Sequence, residues 1–457
     1  MFRITESAGH ALLCLLVVTA CSLGYPQPVD AATWVVGSCS DSGPGSLREA
    51  IAQSESGDVV DLRSIGCSRL VLTSGALVIP RANFTIVGPG RYTFTLDGND
   101  ADRVIAHDGA GTLRLVYLSV ANGRRNAITQ DERGGCIRSF GSVELHHVSV
   151  HDCLMHEDGF DHAPPTNGGG ISANNRVTLS YSSVFRSAAT DDGLGGGIYG
   201  EGKVTLYHSQ VYENHAYEAG GVFARGALEV TYSRVYRNRA TLGGGGLSMG
   251  SYGRPIDGLL INKSTISNNV LDDFAGRQIA GAGGGAGPRT ITDSTFSGNR
   301  SYLNSAASIE GEARIYNSTF AYNTEIQIRN QAFPSTACED RGALQADALR
   351  LESTIVARNA CTAGAAGFDI AADTGVVTGH RNLIERPRVA VPADTLAVDP
   401  LLAPLADNGG YSATHLPRAD GPVLQRGNNV LDRQYDQRGP GFPRVKGGLP
   451  DIGATER

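Results

Sequence analysis

Three successive stretches decide the fold: GGGISANNRVTLSYSSVFRS (168–187), GGGIYGEGKVTLYHSQVYEN (195–214) and GGVFARGALEVTYSRVYRN (220–238). Each carries a glycine run, an alternating aliphatic segment and a Ser-x-Val element at matching offsets. With the apolar residue of that last element as anchor, the series extends in both directions: Val120, Val150, Val184, Val211, Val235, Ile266, Phe296, Phe320 and Val356. Five residues earlier stand Leu115, Leu145, Leu179, Leu206, Val230, Ile261, Ile291, Ile315 and Leu351, all aliphatic. Seven earlier stand Leu113, Val143, Val177, Val204, Leu228 and Leu259, then Arg289, Ala313 and Leu349. A two-residue spacing places the −7 and −5 positions on one face of a strand. The odd five-residue step to the anchor requires a bend between two short strands. Period two with β-branched residues excludes a helical solenoid and predicts a right-handed parallel β-helix. It has nine or more coils of about 30 residues each.

Three residues after the anchor come Gly123, Cys153 and Ser187, then Asn214, Asn238, Asn269, Asn299, Asn323 and Asn359. Six asparagines at one register predict a stacked ladder at a turn, since Asn tolerates left-handed backbone and its amide bonds above and below. Glycine runs follow the Asn position, at 168–170, 195–197, 220–221, 243–246 and 283–285. They account for much of the high glycine content, 59 of 457 residues. Loops of different length entering between coils vary the spacing.

The ends differ from the middle, as a solenoid's ends must. Ser46 followed by Glu49 predicts a capping box on a short helix covering the first coil. From Asp399 onward the repeat stops and a Gly/Pro-rich irregular cap begins. The organisation read from sequence is a signal peptide at 1–31, an N-terminal cap with first coils at 34–100, repeats at 101–398 and a C-terminal cap module at 399–457. The apolar stretch from Ala11 to Ala20 is too short to span a bilayer, so no transmembrane span is expected. Two processing readings stand: cleavage after Ala31, which the poor n-region favours, or a lipobox at 18–21 that places a lipid on Cys21. Beyond Asp451 come no sorting motif, hydrophobic tail or translocator barrel, so covalent anchoring and self-transport are not expected.

Setting aside Cys14 and Cys21, six cysteines remain, an even number that favours disulfides in an exported chain. Pairing sequence neighbours gives Cys39–Cys67, Cys136–Cys153 and Cys338–Cys361, one of fifteen arrangements. No C-x-x-C spacing suggests a metal site. The formal net charge of −7 argues against a nucleic-acid partner.

Several motifs resemble a known group. Ser42-Gly-Pro-Gly-Ser-Leu-Arg-Glu-Ala-Ile51, Asp58-Val-Val-Asp61 and Ile86-Val-Gly-Pro-Gly90 resemble the N-terminal SLREA-type module of bacterial secreted β-helix proteins. The tail motifs Asp399-Pro-Leu-Leu402, Leu405-Ala-Asp-Asn-Gly-Gly410, Asp436-Gln-Arg-Gly439 and Asp451-Ile-Gly-Ala454 resemble the choice-of-anchor-like module that ends many of them. The resemblance implies the pectate-lyase-like superfold and an extracellular, periplasmic or cell-surface location, and little chemistry, because the group has no settled activity.

Chemistry must therefore come from the loops. The best cluster is His151-Asp152, His156-Glu157-Asp158 and Asp161-His162, with Asp191-Asp192 one coil later. Converging acids there would bind calcium or serve glycoside hydrolysis, with Asp158, Asp161, His162, Asp191 and Asp192 as the catalytic candidates. The competing reading, that Asp and His are ordinary in exposed loops, is the stronger. Polygalacturonase, pectate lyase, RTX nonapeptide, P-loop, G-x-S-x-G and H-E-x-x-H signatures are all missing. A second candidate is the set Tyr207, Tyr212, Tyr232 and Tyr236, an aromatic strip suited to stacking sugars or docking protein, or equally to cross-strand packing. Tyr212 and Tyr236 follow their anchors directly; Tyr232 falls outside that row. The sequence favours a non-catalytic surface or secreted rod that binds an extracellular glycan or a host or surface protein, with a carbohydrate-active enzyme as the alternative.

Overall fold

The computed structural model describes residues 31–127, 133–157, 166–250, 258–272, 279–282, 287–301, 305–326, 342–362 and 367–457. Its strands are short and stack coil upon coil into four parallel sheets of a right-handed β-helix. Sheet I has 13 strands, from Thr33–Val35 to Phe368–His380, and contains the −7 and −5 positions. Sheet II has 12, from Arg69–Val71 to Leu383–Ile384, and contains the anchors. Sheet III has nine, from Arg124–Ala127 to Ala360–Cys361, and sheet IV eight, from Leu77–Ile79 to Ile279–Ala282.

The aliphatic rows stack in register. Leu115, Leu145, Leu179, Leu206 and Val230 pair in succession on sheet I. Val120, Val150, Val184, Val211 and Val235 do the same on sheet II. All are fully or almost fully buried. Arg289, the odd member of the −7 row, is also buried, its Nη1 donating to Gly287 O at 3.1 Å.

The bends explain the odd spacing. Three residues before each anchor the backbone is left-handed at Tyr117, His147, Tyr181, His208, Tyr232, Lys263, Asp293, Asn317 and Ser353. Two residues after it the backbone is left-handed again, from Asn122, Asp152 and Arg186 to Tyr322 and Arg358. Each such residue adds one outward position, so inward residues are three apart across a bend and two apart along a strand. The left-handed conformation expected at the Asn position thus belongs to the residue before it. The Asn itself must point inward, and the preceding residue makes the turn.

Those inward asparagines form a continuous buried chain. The Nδ2 groups of Asn214, Asn238, Asn269, Asn299 and Asn323 each donate to the next Oδ1 at 2.9–3.0 Å. Each Oδ1 also accepts a backbone N–H from the preceding coil. Asn359 ends the run on Asp369 Oδ1 at 2.9 Å. Burial pushes the Asp369 carboxyl up to about 6, against the Asn359 bond and the Arg386 charge. A second ladder, of the serines in the Ser-x-Val elements, runs along the other bend. Backbone N–H groups of Ser182, Ser209, Ser233, Ser264, Ser294 and Ser318 donate to the next hydroxyl at 3.0–3.4 Å.

At the N-terminal end, helix α1 (Leu47–Gln53) buries Leu47, Ala50 and Ile51 against the first coils. Ser46 Oγ accepts from Glu49 N at 3.2 Å. The reciprocal carboxylate bond comes from Gly45 N at 2.6 Å, one residue before the cap. Disulfides join Cys39 to Cys67 and Cys136 to Cys153. Cys153 occupies the ladder position that asparagine takes later. Cys338 lies outside the described residues, and with it the pair expected with Cys361.

Residues 399–457 are irregular and cover the outer flank of sheet II over its later coils. Leu402, Val423 and Ile452 pack on Ala321, Ile355, Ala357 and Leu383. Hydroxyls on that flank fix the segment: Thr265 Oγ1 donates to Ala413 O and Thr295 Oγ1 to Gln437 Oε1, both at 2.6 Å. Thr319 Oγ1 accepts from Ala454 N at 3.0 Å.

Candidate functional site

Over the earlier coils the same flank is open. Strands of sheet II alternate, so residues flanking the buried anchor face outward. The −1 positions form a polar floor of Ser119, Ser149, Ser183 and Gln210, and Ser149 Oγ lies 3.1 Å from Ser183 Oγ. Rings wall both sides. One wall is the left-handed row, where Tyr117, His147, Tyr181, His208 and Tyr232 stack with centroids 4.9–5.0 Å apart. The other is the +1 row of His151, Phe185, Tyr212 and Tyr236, at 4.7–4.9 Å and within 14° of parallel. The ring spacing follows from the spacing of strands in a sheet.

His147, Tyr181 and His208 of one row and His151, Phe185 and Tyr212 of the other enclose, over the floor, a trough of about 300 Å³. The 88–93 loop overhangs the middle of the trough, where Arg91 Nη1 donates to Tyr181 O and Arg91 lies 4.8 Å over the Tyr92 ring. At the end nearer the C-terminal segment, Tyr411 of that segment stands edge-on to His208 at 4.0 Å and Tyr232 at 5.1 Å. Beyond it a second cavity of about 450 Å³ lies between Arg234, Tyr236 and Arg237 and residues of the C-terminal segment.

The stacking has a chemical consequence. Each ring covers its neighbours' faces, so the walls present edges: hydroxyls of Tyr, nitrogens of His and C–H groups. Burial pulls the His147 and His208 imidazoles below their ordinary values, His147 further through its neighbours His146 and Arg91. Burial also raises the Tyr212 and Tyr236 phenols. His147, His208, Tyr212 and Tyr236 are therefore held as neutral donors and acceptors at neutral pH.

The four tyrosines read from the sequence are distributed across this site. Tyr212 and Tyr236 stack with each other in the +1 wall. Tyr232, out of register with them, belongs to the opposite wall. Tyr207 is 39% exposed on the neighbouring sheet and stands edge-on to Tyr181, His208 and Tyr232. Sequence reasoning missed the left-handed wall because it alternates Tyr with His at one offset, and a search for tyrosine alone skips every second member. It also missed the serine floor, whose signal is a hydroxyl immediately before the anchor in three successive coils.

The acidic loop is placed less completely. Asp158, Asp161 and His162 lie outside the described residues. Asp191 and Asp192 lie on the strand Ala188–Leu194 of sheet III, with Asp192 exposed to solvent. Asp191 Oδ2 accepts from Thr190 Oγ1 at 2.8 Å and lies 3.7 Å from His156 Nδ1 in the adjacent coil. Asp152 is held by Arg186 through two bonds of 2.7 Å and by His151 Nδ1 at 2.6 Å. Its carboxyl lies below the usual range, with the Arg186 bonds as the main cause. Among the described residues no three His, Cys, Asp or Glu side chains converge as metal ligands, and no helix is long and apolar enough to cross a membrane.

No family model matches this chain, and no curated protein matches it. Among solved structures it is similar to the crystal structure of pectate lyase Pel9A, with a TM-score of 0.45 and 13% identity. That match covers 93% of this chain and 96% of the other.

Proposed function

We propose that this protein is a non-catalytic, exported β-helix scaffold that binds glycan in the trough over sheet II. The observation that carries the reading is the hydroxyl floor of Ser119, Ser149 and Ser183 between two walls of ring edges, repeated coil by coil along the rod axis. Ser119 and Ser149 are buried and bonded to Ser149 O, His151 and Ser183, so they hold the floor flat, while Ser183, Gln210 and the ring edges offer hydrogen bonds to an extended, hydroxyl-rich chain. Among the described residues no carboxylate lines the trough. Asp152, beside it, is already bonded to Arg186 and His151 and is poorly placed to act as an acid or base. The Cys39–Cys67 and Cys136–Cys153 disulfides support an oxidising, extracytoplasmic location, in keeping with the SLREA-type and choice-of-anchor-like motifs.

The test is a glycan array probed with the wild-type protein and with Ser183→Tyr, which fills the floor. Loss of binding with an unchanged circular dichroism spectrum is the expected result. Undiminished binding by Ser183→Tyr removes the trough as the site. Release of reducing or unsaturated sugar ends by purified protein overturns the non-catalytic reading.

A further inference from the structure

The wall of rings on sheet II ends at Tyr236, because the next residue in that row is Ser267. The space a further ring would fill is roofed instead by residues of the 405–413 turn, which leaves the cavity of about 450 Å³ beyond Tyr411. We infer that this cavity, separate from the trough and independent of the glycan reading, binds a zwitterion: a short peptide with free amino and carboxyl ends. Arg234 lines it from the sheet, its guanidinium 4.9 Å over the Tyr236 ring and without a carboxylate partner among the described residues. Asp407 lines it from the turn, where one carboxylate oxygen accepts from Gly409 N at 3.0 Å and no cation pairs with it among the described residues. The remaining charge, Arg237, is taken by Glu213 at 3.3 Å. One unpaired cation and one unpaired anion therefore face a single space without meeting each other.

Both charges are held in place. The Tyr236 ring supports the Arg234 guanidinium from one side. Asp407 follows directly on an antiparallel bridge in which Ala406 and Thr414 exchange backbone bonds of 2.9 and 3.1 Å. Asn408 Nδ2 ties the same turn by donating to Thr414 O at 2.8 Å, and Thr265 Oγ1 pins it to the sheet through Ala413 O. A ligand of one sign would be drawn to one of these groups and repelled by the other. A neutral ligand would desolvate both and pair neither. A molecule with a carboxylate at one end and an ammonium at the other meets both. The guanidinium takes a carboxylate through two parallel hydrogen bonds, and the second Asp407 oxygen accepts from an ammonium. An amino acid carries its two charges on one carbon, whereas a dipeptide separates them across the cavity and lays its side chains on Tyr236 and Leu405.

The experiment is titration calorimetry of the purified protein with the dipeptide phenylalanyl-alanine, its N-acetyl derivative and its C-terminal amide. The free dipeptide is expected to bind at least about fivefold more tightly than either blocked form. Arg234→Gln should bind the free dipeptide and the amide alike while still rejecting the acetylated form. Asp407→Asn, which keeps the acceptor for Gly409 N, should bind the free and acetylated forms alike while still rejecting the amide. Each variant loses only its own discrimination, a pattern that a general loss of structure does not produce. Failure of the free dipeptide to bind, or equal binding of all three forms, overturns the inference. Neither result touches the trough, which the glycan array tests by itself.

Discussion

Asn269→Ala is the sharpest test of how the rod is held together. Asn269 is fully buried and makes four ladder bonds of 3.0 Å: it accepts from Asn238 N and Asn238 Nδ2, and donates to Val235 O and Asn299 Oδ1. Alanine strands the Asn238 N–H and one Asn238 amide hydrogen with no water to replace the lost acceptor. Asn299 Oδ1 keeps its bond from the backbone at position 269. Two orphaned donors at about 1–3 kcal/mol each, plus a small cavity, give a loss of about 3–5 kcal/mol. Asn269→Asp keeps the shape but turns a donor into an acceptor facing Val235 O and Asn299 Oδ1, so it is expected to be at least as damaging and worse as pH rises. Urea denaturation should be followed by far-ultraviolet circular dichroism and by the fluorescence of Trp34, the chain's one tryptophan. Trp34 sits in the first strand of sheet I, far along the chain from the lesion. Parallel shifts of both signals mean the coils unfold together; a dichroism shift alone means the array breaks near coil 269. A cost under about 1 kcal/mol for alanine, or aspartate tolerated better than alanine, refutes the ladder argument.

The serine ladder gives a smaller version of the same loss. Ser233→Ala removes the acceptor for Ser209 N at 3.0 Å and should cost about 1–2 kcal/mol by the same denaturation. Lys263→Met removes the ammonium that donates to Tyr435 O at 2.6 Å and to Asp436 O and that lies 3.7 Å from the buried Asp293 carboxylate, which keeps only Arg433 at 3.4 Å as an ion-pair partner among the described residues. A loss of about 3–5 kcal/mol is expected, and limited proteolysis should then cut within 399–457 first; an unchanged digestion pattern refutes it. At the N-terminal end, burial alone would raise the Asp41 carboxyl, but bonds from Ser74, Arg48 and Thr73 hold it at about 2. A carboxyl depressed on folding contributes stability above its ordinary value near 3.8, and that contribution is lost as pH falls from there towards 2. Asp41→Asn should therefore flatten the acid limb of the Trp34 transition; an identical acid limb in the variant refutes the assignment.

What the sequence by itself determined is the coil. Inward positions repeat along one chain at fixed offsets, so Leu145, Val150 and the asparagines announce strand phase and stacking without knowledge of neighbours. The anchors on sheet II and the aliphatic rows on sheet I follow from that periodicity, because a one-residue slip would turn every core side chain outward. The helix cap at Ser46 and two disulfides were equally legible, since each depends on residues close in sequence or on parity. The left-handed residues were not. Tyr181, Lys263 and Asp293 share a backbone conformation but no chemistry, and only the bend of the folded chain gives them a common role.

The trough and the C-terminal segment were decided by tertiary structure alone. Ser149 and Ser183 are 34 residues apart and become neighbours only once the intervening loop is spent. Thr265 meets Ala413 across 148 residues, a distance no local pattern encodes. Which half of the flank is covered and which is open depends on where that segment comes to rest. A repeating core is specified by short-range periodicity, whereas a surface site is specified by what happens to pack beside it. For that reason the scaffold could be read residue by residue, and the binding face had to be built before it could be seen.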